Sequence, residues 1–212
     1  MTGNALDPTQ HIWWLMSRAS GVVALGLITA SVVLGLLMAN KLLRGKSVAA
    51  IHEQLSITGL VAIAVHGLTL LPDPWLHPGV AGIAVPFTMG YRTVFTGLGI
   101  LAGYLTALLG LSFYLRRRIG PKLWRKAHRF TVLAYVMALV HTVGAGTDTG
   151  TAWLRTFLFA TAVPIAVLFV MRLLPRRKPA RKSAPARDGL LGGVRGGAGS
   201  AHPHPQPDLP GS

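Results

Sequence analysis

No cysteine occurs among the 212 residues of this chain, and only six residues carry a carboxylate. The first absence removes disulfides, thiolate-held iron–sulfur clusters and any thioether attachment of a prosthetic group. The second matters because of where the six lie: no Asp or Glu falls within any long apolar run. Proton- or ion-coupled transport ordinarily uses buried carboxylates or broken helices, so a transporter ranks a distant second among the functions considered below, and a purely structural membrane subunit third. Charged residues make up 13% of the chain against 51% hydrophobic, and mean hydropathy is +0.49. That balance excludes an ordinary soluble domain of this length and places the chain in a bilayer.

Apolar runs that approach or reach the 20 or so residues needed to span hydrocarbon occur at Ala19–Asn40, Leu55–Leu71, Val94–Leu115, Phe130–Ala145 and Ala152–Leu174. The second and fourth are short, but each extends backwards into polar sequence, from near Ser47 as an N-cap and from near Pro121 as a first helical residue. Those extensions take in His52 and His128. The expected fold is an all-α integral membrane protein, a bundle of five transmembrane helices with a disordered basic C-terminal tail. Its expected divisions are an extracytoplasmic segment 1–12, a membrane domain 13–174 and a cytoplasmic tail 175–212.

Charge orients the bundle. Eighteen of the twenty-one Lys and Arg fall on one side: Lys41, Arg44 and Lys46, seven between Arg116 and Arg129, and eight from Arg172 onward. Arg18, Arg92 and Arg155 remain on the other, with Asp7, Asp73 and Asp148. The positive-inside rule puts the N-terminus outside and the C-terminus in the cytoplasm of a multi-pass cell-membrane protein. Trp13, Trp14, Trp75, Tyr91 and Trp153 then mark the outer interface, and Tyr114 and Trp124 the inner one. Topology also accounts for the net charge of +15 without a nucleic-acid partner. The tail, rich in Pro, Gly, Ala and basic residues, cannot bury a core; its start at Arg176–Lys182 suits anionic lipid. The Gly192–Gly199 stretch lacks the strand and helix of a phosphate loop. No basic n-region or cleavage site accompanies the first run, which reads as an anchor.

Four histidines stand inside or at the edge of these runs: His52 and His66 on span two, His128 and His141 on span four. Intramembrane ionisable residues are functional candidates because an unpartnered imidazole in hydrocarbon is costly. Spans two and four run in the same direction, so His52 and His128 share the inner depth and His66 and His141 the outer one. The fourteen-residue step from His52 to His66 covers about 21 Å and just under four turns, leaving both on nearly one face. Gly59, midway on that face, would let a flat macrocycle approach the backbone. The thirteen-residue step from His128 to His141 rotates the second roughly 140° away in a straight helix; a π-bulge or two macrocycles in different planes would reconcile it. Four histidines at two matched depths point to haem as the ligand, necessarily b-type without cysteine. His11, His77, His202 and His204 lie in polar, loop or tail sequence, where solvated side chains are the default.

The opening W-W-L-M-S-R-A-S-G of Trp13–Gly21, with His52 and His66 fourteen apart and His128 and His141 thirteen apart, resembles the ferric reductase-like transmembrane domain family. That family is the haem-bearing core of ferric reductases, NADPH oxidases and methionine sulfoxide reductase haem subunits. The resemblance covers roughly residues 12–175. It implies two non-covalent b haems stacked across the membrane, an inner one held by His52 and His128 and an outer one by His66 and His141. It also implies electron transport as part of an oxidoreductase. The flavin and nicotinamide domains of self-sufficient members do not follow residue 174, so the expected role is a stand-alone haem subunit, not catalytic alone. It would take electrons from a separate flavoprotein or quinol and deliver them to an extracytoplasmic acceptor. Arg18, just inside span one, is the expected partner of the outer propionates, with Arg92 second; Arg125 or Arg129 would serve the inner haem. Tyr135, seven residues after His128, either lines the inter-haem gap or packs the core. Gly99 and Gly103 form a small-x-x-x-small pattern for close helix packing, and Pro164 should bend span five.

Overall fold

A computed structural model of the chain describes residues 12–174. The expectations for the first eleven residues, for the tail 175–212, and for His11, His202 and His204 therefore lie outside the described residues. Among the described residues the chain is all-helical, with no strand: α1 (Ile12–Ala39), α2 (Lys46–Leu68), α3 (Gly79–Ala84), α4 (Thr93–Ile119), α5 (Pro121–Ala127), a 3₁₀ turn at His128–Phe130, α6 (Thr131–Ala145) and α7 (Ala152–Leu173). Four of these, α1, α2, α4 and α7, are long and apolar enough to cross a membrane.

Helices α1, α2 and α4 extend beyond the apolar stretches that announce them. Backbone hydrogen bonding does not stop where hydropathy does, and α4 continues through Arg116, Arg117 and Arg118, cations that suit the negative end of a helix dipole. Arg116 donates to the Phe113 carbonyl at 2.8 Å, occupying an acceptor near that end. Helix α2 starts at Lys46 behind Gly45, not at a Ser47 cap; Gly45 sits at φ 136, which a side chain would resist.

The fourth apolar run departs from the expected single span. Gly120, at φ 93, ends α4, and Pro121 opens α5 as a first-turn proline. The path then tightens into the 3₁₀ turn before α6, which by itself has 15 residues. No π-bulge forms there. Three residues that rise about 2.0 Å and turn about 120° each, in place of 1.5 Å and 100°, stretch the His128-to-His141 step to about 21 Å and bring His141 about 60° back toward the His128 face. The turn thus nearly matches the fourteen-residue step on α2.

Packing divides the helices into two tight pairs, α1 along α2 and α4 along α6, joined lightly through α2 with α4 and α1 with α6. Helix α2, which carries His52 and His66, and helix α6, which carries His141 and follows the turn that holds His128, hardly touch. The buried apolar cluster lies elsewhere: Leu25, Ile28, Val32 and Leu36 of α1, Tyr135 of α6, and Ile165 and Leu168 of α7. Helix α7 runs unbroken from Ala152 to Leu173 through Pro164 and packs on α1. Its C-terminal half is tied there by Asn40 Nδ2 donating to the Leu168 carbonyl at 2.9 Å and Arg172 donating to the Ala39 carbonyl at 2.8 Å. Asn40→Leu should cost about 1 kcal/mol of stability, the usual size of an interhelical hydrogen bond. A denaturing-detergent titration of the purified chain measures it.

Candidate functional site

Two pairs of imidazole rings face each other across the gap between α2 and the segment that runs from the 3₁₀ turn into α6. His52 and His128 have ring centroids 6.2 Å apart with planes at 85°, and His66 and His141 have centroids 6.1 Å apart with planes at 76°. The structure therefore brings together the two pairs that depth predicts, one between α2 and the 3₁₀ turn and the other between α2 and α6.

Helix α1 supports both histidines of α2. His66 Nδ1 donates to the Ser17 carbonyl at 2.7 Å, while the Ser17 hydroxyl donates to the His66 carbonyl at 2.9 Å. His52 Nδ1 donates to the Ser31 carbonyl at 2.9 Å. The Ser31 and Ser56 hydroxyls are 2.7 Å apart, and Ser56 donates to the His52 carbonyl at 2.8 Å. On the other pair, His141 Nδ1 donates to the Phe95 carbonyl of α4 at 2.9 Å. A carbonyl only accepts, so these three rings carry their proton on Nδ1 and keep the lone pair on Nε2. Metal-ligating histidines are oriented in the same way. His128 differs. It is set against the Leu109 backbone without a completed hydrogen bond, and Trp124 stacks on it at 4.9 Å and 27°. Trp124 is held by Nε1 donating to the Ser112 hydroxyl at 3.2 Å and by the neighbouring Phe113 ring.

Among the described residues no group of three or more His, Cys, Asp or Glu side chains could hold a metal ion. Each pair offers two nitrogens, too few for a structural zinc site but the number needed for the two axial positions of a haem iron. The spacing fits as well. Two imidazoles bound at about 2.0 Å on opposite sides of a metal, with ring centres about 1.1 Å further out, stand about 6.2 Å apart. An open cleft of about 480 Å³ is lined by Arg92, Phe95, Leu139, Val140, Val143 and Gly144, and none of the four histidines is part of its lining.

The other expected residues fall in varied places. Arg18 pairs with Asp148 and lies 5.1 Å from the Trp14 ring centre, so its carboxylate partner comes from the α6–α7 connection. Arg92 donates to the Gly144 carbonyl near the end of α6. Arg125 and Arg129 are exposed. Gly59 is buried against α1, where a Cβ would stand 2.6 Å from Ile28 Cδ1, so it permits close approach of α1 to α2. Tyr135 packs in the buried cluster, 2% exposed, and its hydroxyl has no partner among the described residues. His77 is exposed in the connection after α2, as expected.

Sequence reasoning missed Ser17, Ser31, Ser56, Gly21, Gly35 and Trp124. One signal was available: Ser17 and Gly21 recur as Ser31 and Gly35 fourteen residues on, the same step as His52 to His66. Gly99 and Gly103, expected to act alike, separate in the structure. A Cβ on Gly99 would collide with the His141 ring, whereas one on Gly103 would meet Ile63 at an ordinary 3.5 Å. Gly99→Ala should therefore destabilise by about 1–3 kcal/mol through overpacking, and Gly103→Ala by less than about 0.5 kcal/mol; thermal unfolding in detergent separates the two. No family model matches this chain, and no curated protein or solved structure matches it either.

Proposed function

We propose that the chain is a transmembrane di-haem b cytochrome of ferric reductase-like type, an electron-transfer subunit that carries electrons across the cell membrane. The observation that carries this reading is the pair of imidazole pairs, each near 6.2 Å and three of the four rings held with Nε2 unprotonated. A b-type haem, when bound, supplies a one-electron carrier at each pair. His52 with His128 and His66 with His141 would hold the two irons, and two protein ligands per iron would favour outer-sphere electron transfer over binding of oxygen. The apolar walls of α1, α2, α4 and α6 keep water from the pairs and so influence their potentials. Arg92, at the rim of the cleft, and Arg18, already engaged with a carboxylate, are the cations nearest to hand for outer propionates.

In this reading five segments cross the bilayer, the fourth being the jointed path from Pro121 to Ala145. The Lys and Arg excess orients His52 and His128 toward the cytoplasm. The donor is a separate flavoprotein or quinol and the acceptor lies outside. Full-length protein purified in detergent should show reducible Soret and α bands, and the His66→Ala, His141→Ala double variant should lose about half the haem. A spectrum without such bands, or one unchanged in the double variant, removes this function and leaves a haem-free transporter or structural subunit. Orientation is tested separately in the cysteine-free chain: Thr147→Cys should label with an impermeant maleimide in intact cells, and Leu43→Cys only after permeabilisation.

A further inference from the structure

Three of the four histidines rest on one repeated backbone arrangement. In each, residue i of the neighbouring helix gives its carbonyl to Nδ1, and a glycine at i+4 lies under the ring: Ser17 with Gly21 for His66, Ser31 with Gly35 for His52, and Phe95 with Gly99 for His141. A Cβ on Gly21 would lie 2.8 Å from His66 Nδ1, and one on Gly35 would lie 3.2 Å from His52 Cε1. The seats on α1 are fourteen residues apart, as are His52 and His66. Because α1 and α2 pack antiparallel, one spacing serves both. On α4 the same step leads from Phe95 to Leu109 and from Gly99 to Phe113. The fourth seat thus has an aromatic residue where the others have glycine, and it is the one whose hydrogen bond is incomplete.

We propose that α1 and α4 act as positioning helices, with Ser17, Gly21, Ser31, Gly35 and Gly99 holding His66, His52 and His141 in the one tautomer and register that can ligate. This rests on the di-haem reading for the identity of the ligand, while the seats themselves stand on hydrogen bonds and close contacts. Fourteen residues of helix carry each seat to the next at about 21 Å, so one rigid element sets the separation of both sites. A residue four beyond the acceptor lies one turn on, beneath the accepted ring, where a Cβ would collide at Gly21 and Gly99 and would be tight but tolerable at Gly35. The hydroxyls add a separate contribution: Ser17 and Ser31 each place Oγ 3.1 Å from the imidazole Nδ1 they support, where outer-shell polarity influences ligand basicity.

The experiment uses full-length protein in detergent and reads haem per chain and the two midpoint potentials. Gly21→Ala and Gly99→Ala should each lower the content from about two to about one with loss of the outer haem, since neither ring can keep its place. Gly35→Ala should keep both, and Gly35→Val should lose the inner one. Gly26→Ala, on α1 but facing Phe157 at 3.8 Å, should change nothing. Two haems with unchanged potentials in Gly21→Ala would overturn the proposal. Ser17→Ala and Ser31→Ala guard against misfolding as an explanation: each leaves backbone and helix intact, so each should shift one midpoint, outer and inner respectively. Shifts in neither, or in both alike, count against it. If the wild type binds no haem, the di-haem reading fails by itself. The seats are then read from histidine ¹⁵N shifts of the full chain, where Nδ1 protonation of His52, His66 and His141 supports them and Nε2 protonation refutes them.

Discussion

An imidazole between apolar helices has two nitrogens to satisfy, and a single backbone carbonyl satisfies only one. Unpartnered polar atoms are expensive there, so the carbonyl contact decides how every neighbouring element packs. For α2 the carbonyls come from α1, and for His141 from α4. Reaching them requires each histidine helix to lie close along its supporting helix, which is how the two tight pairs arise. Glycines follow from the same demand, because a ring donating to a carbonyl lies over the next turn of that helix. The second nitrogen of each supported ring keeps its lone pair, with no hydrogen-bond partner among the described residues.

The two ends built this way are chemically unlike. At the His66–His141 pair both rings are anchored by carbonyl and glycine, while Arg18 is engaged by Asp148 and Arg92 by the end of α6. At the His52–His128 pair His52 joins a Ser31–Ser56 hydroxyl network, whereas His128 rests on Trp124 at the joint between α5 and α6. Tyr114 donates to Glu53 at 2.8 Å there and ties α4 to α2. On the proposed di-haem reading, equal ligand sets in unequal surroundings would give unequal electron affinity, through hydrogen bonding to the ligands and through burial.

Much of this arrangement was legible beforehand. Apolar runs located every long helix, Pro121 announced the start of α5, and the depth of His52, His66, His128 and His141 paired them correctly. Less legible were the ends of helices and the division of the fourth run. Hydropathy reports where a helix meets hydrocarbon, not where its hydrogen bonds stop, and nothing in the residues His128–Phe130 advertises a 3₁₀ turn. Gly59 shares a stripe with His52 and His66, but that stripe also faces α1, and Ile28 fills the space. Asp148 lies 130 residues beyond Arg18, a separation at which no local pattern joins the two.

The sequence by itself determined the helical class, the apolar stretches and the axial heights of the histidines, because helix rise is constant and height follows from counting residues. Rotation and partnership were decided only in the tertiary structure. Which carbonyl each ring meets depends on how α1 turns against α2 and α4 against α6, a choice made by side-chain packing summed over whole helices. The repeat of Ser17 and Gly21 in Ser31 and Gly35 was present in the chain throughout. It acquired meaning only when the antiparallel packing of α1 and α2 set it against two histidines with the same fourteen-residue step.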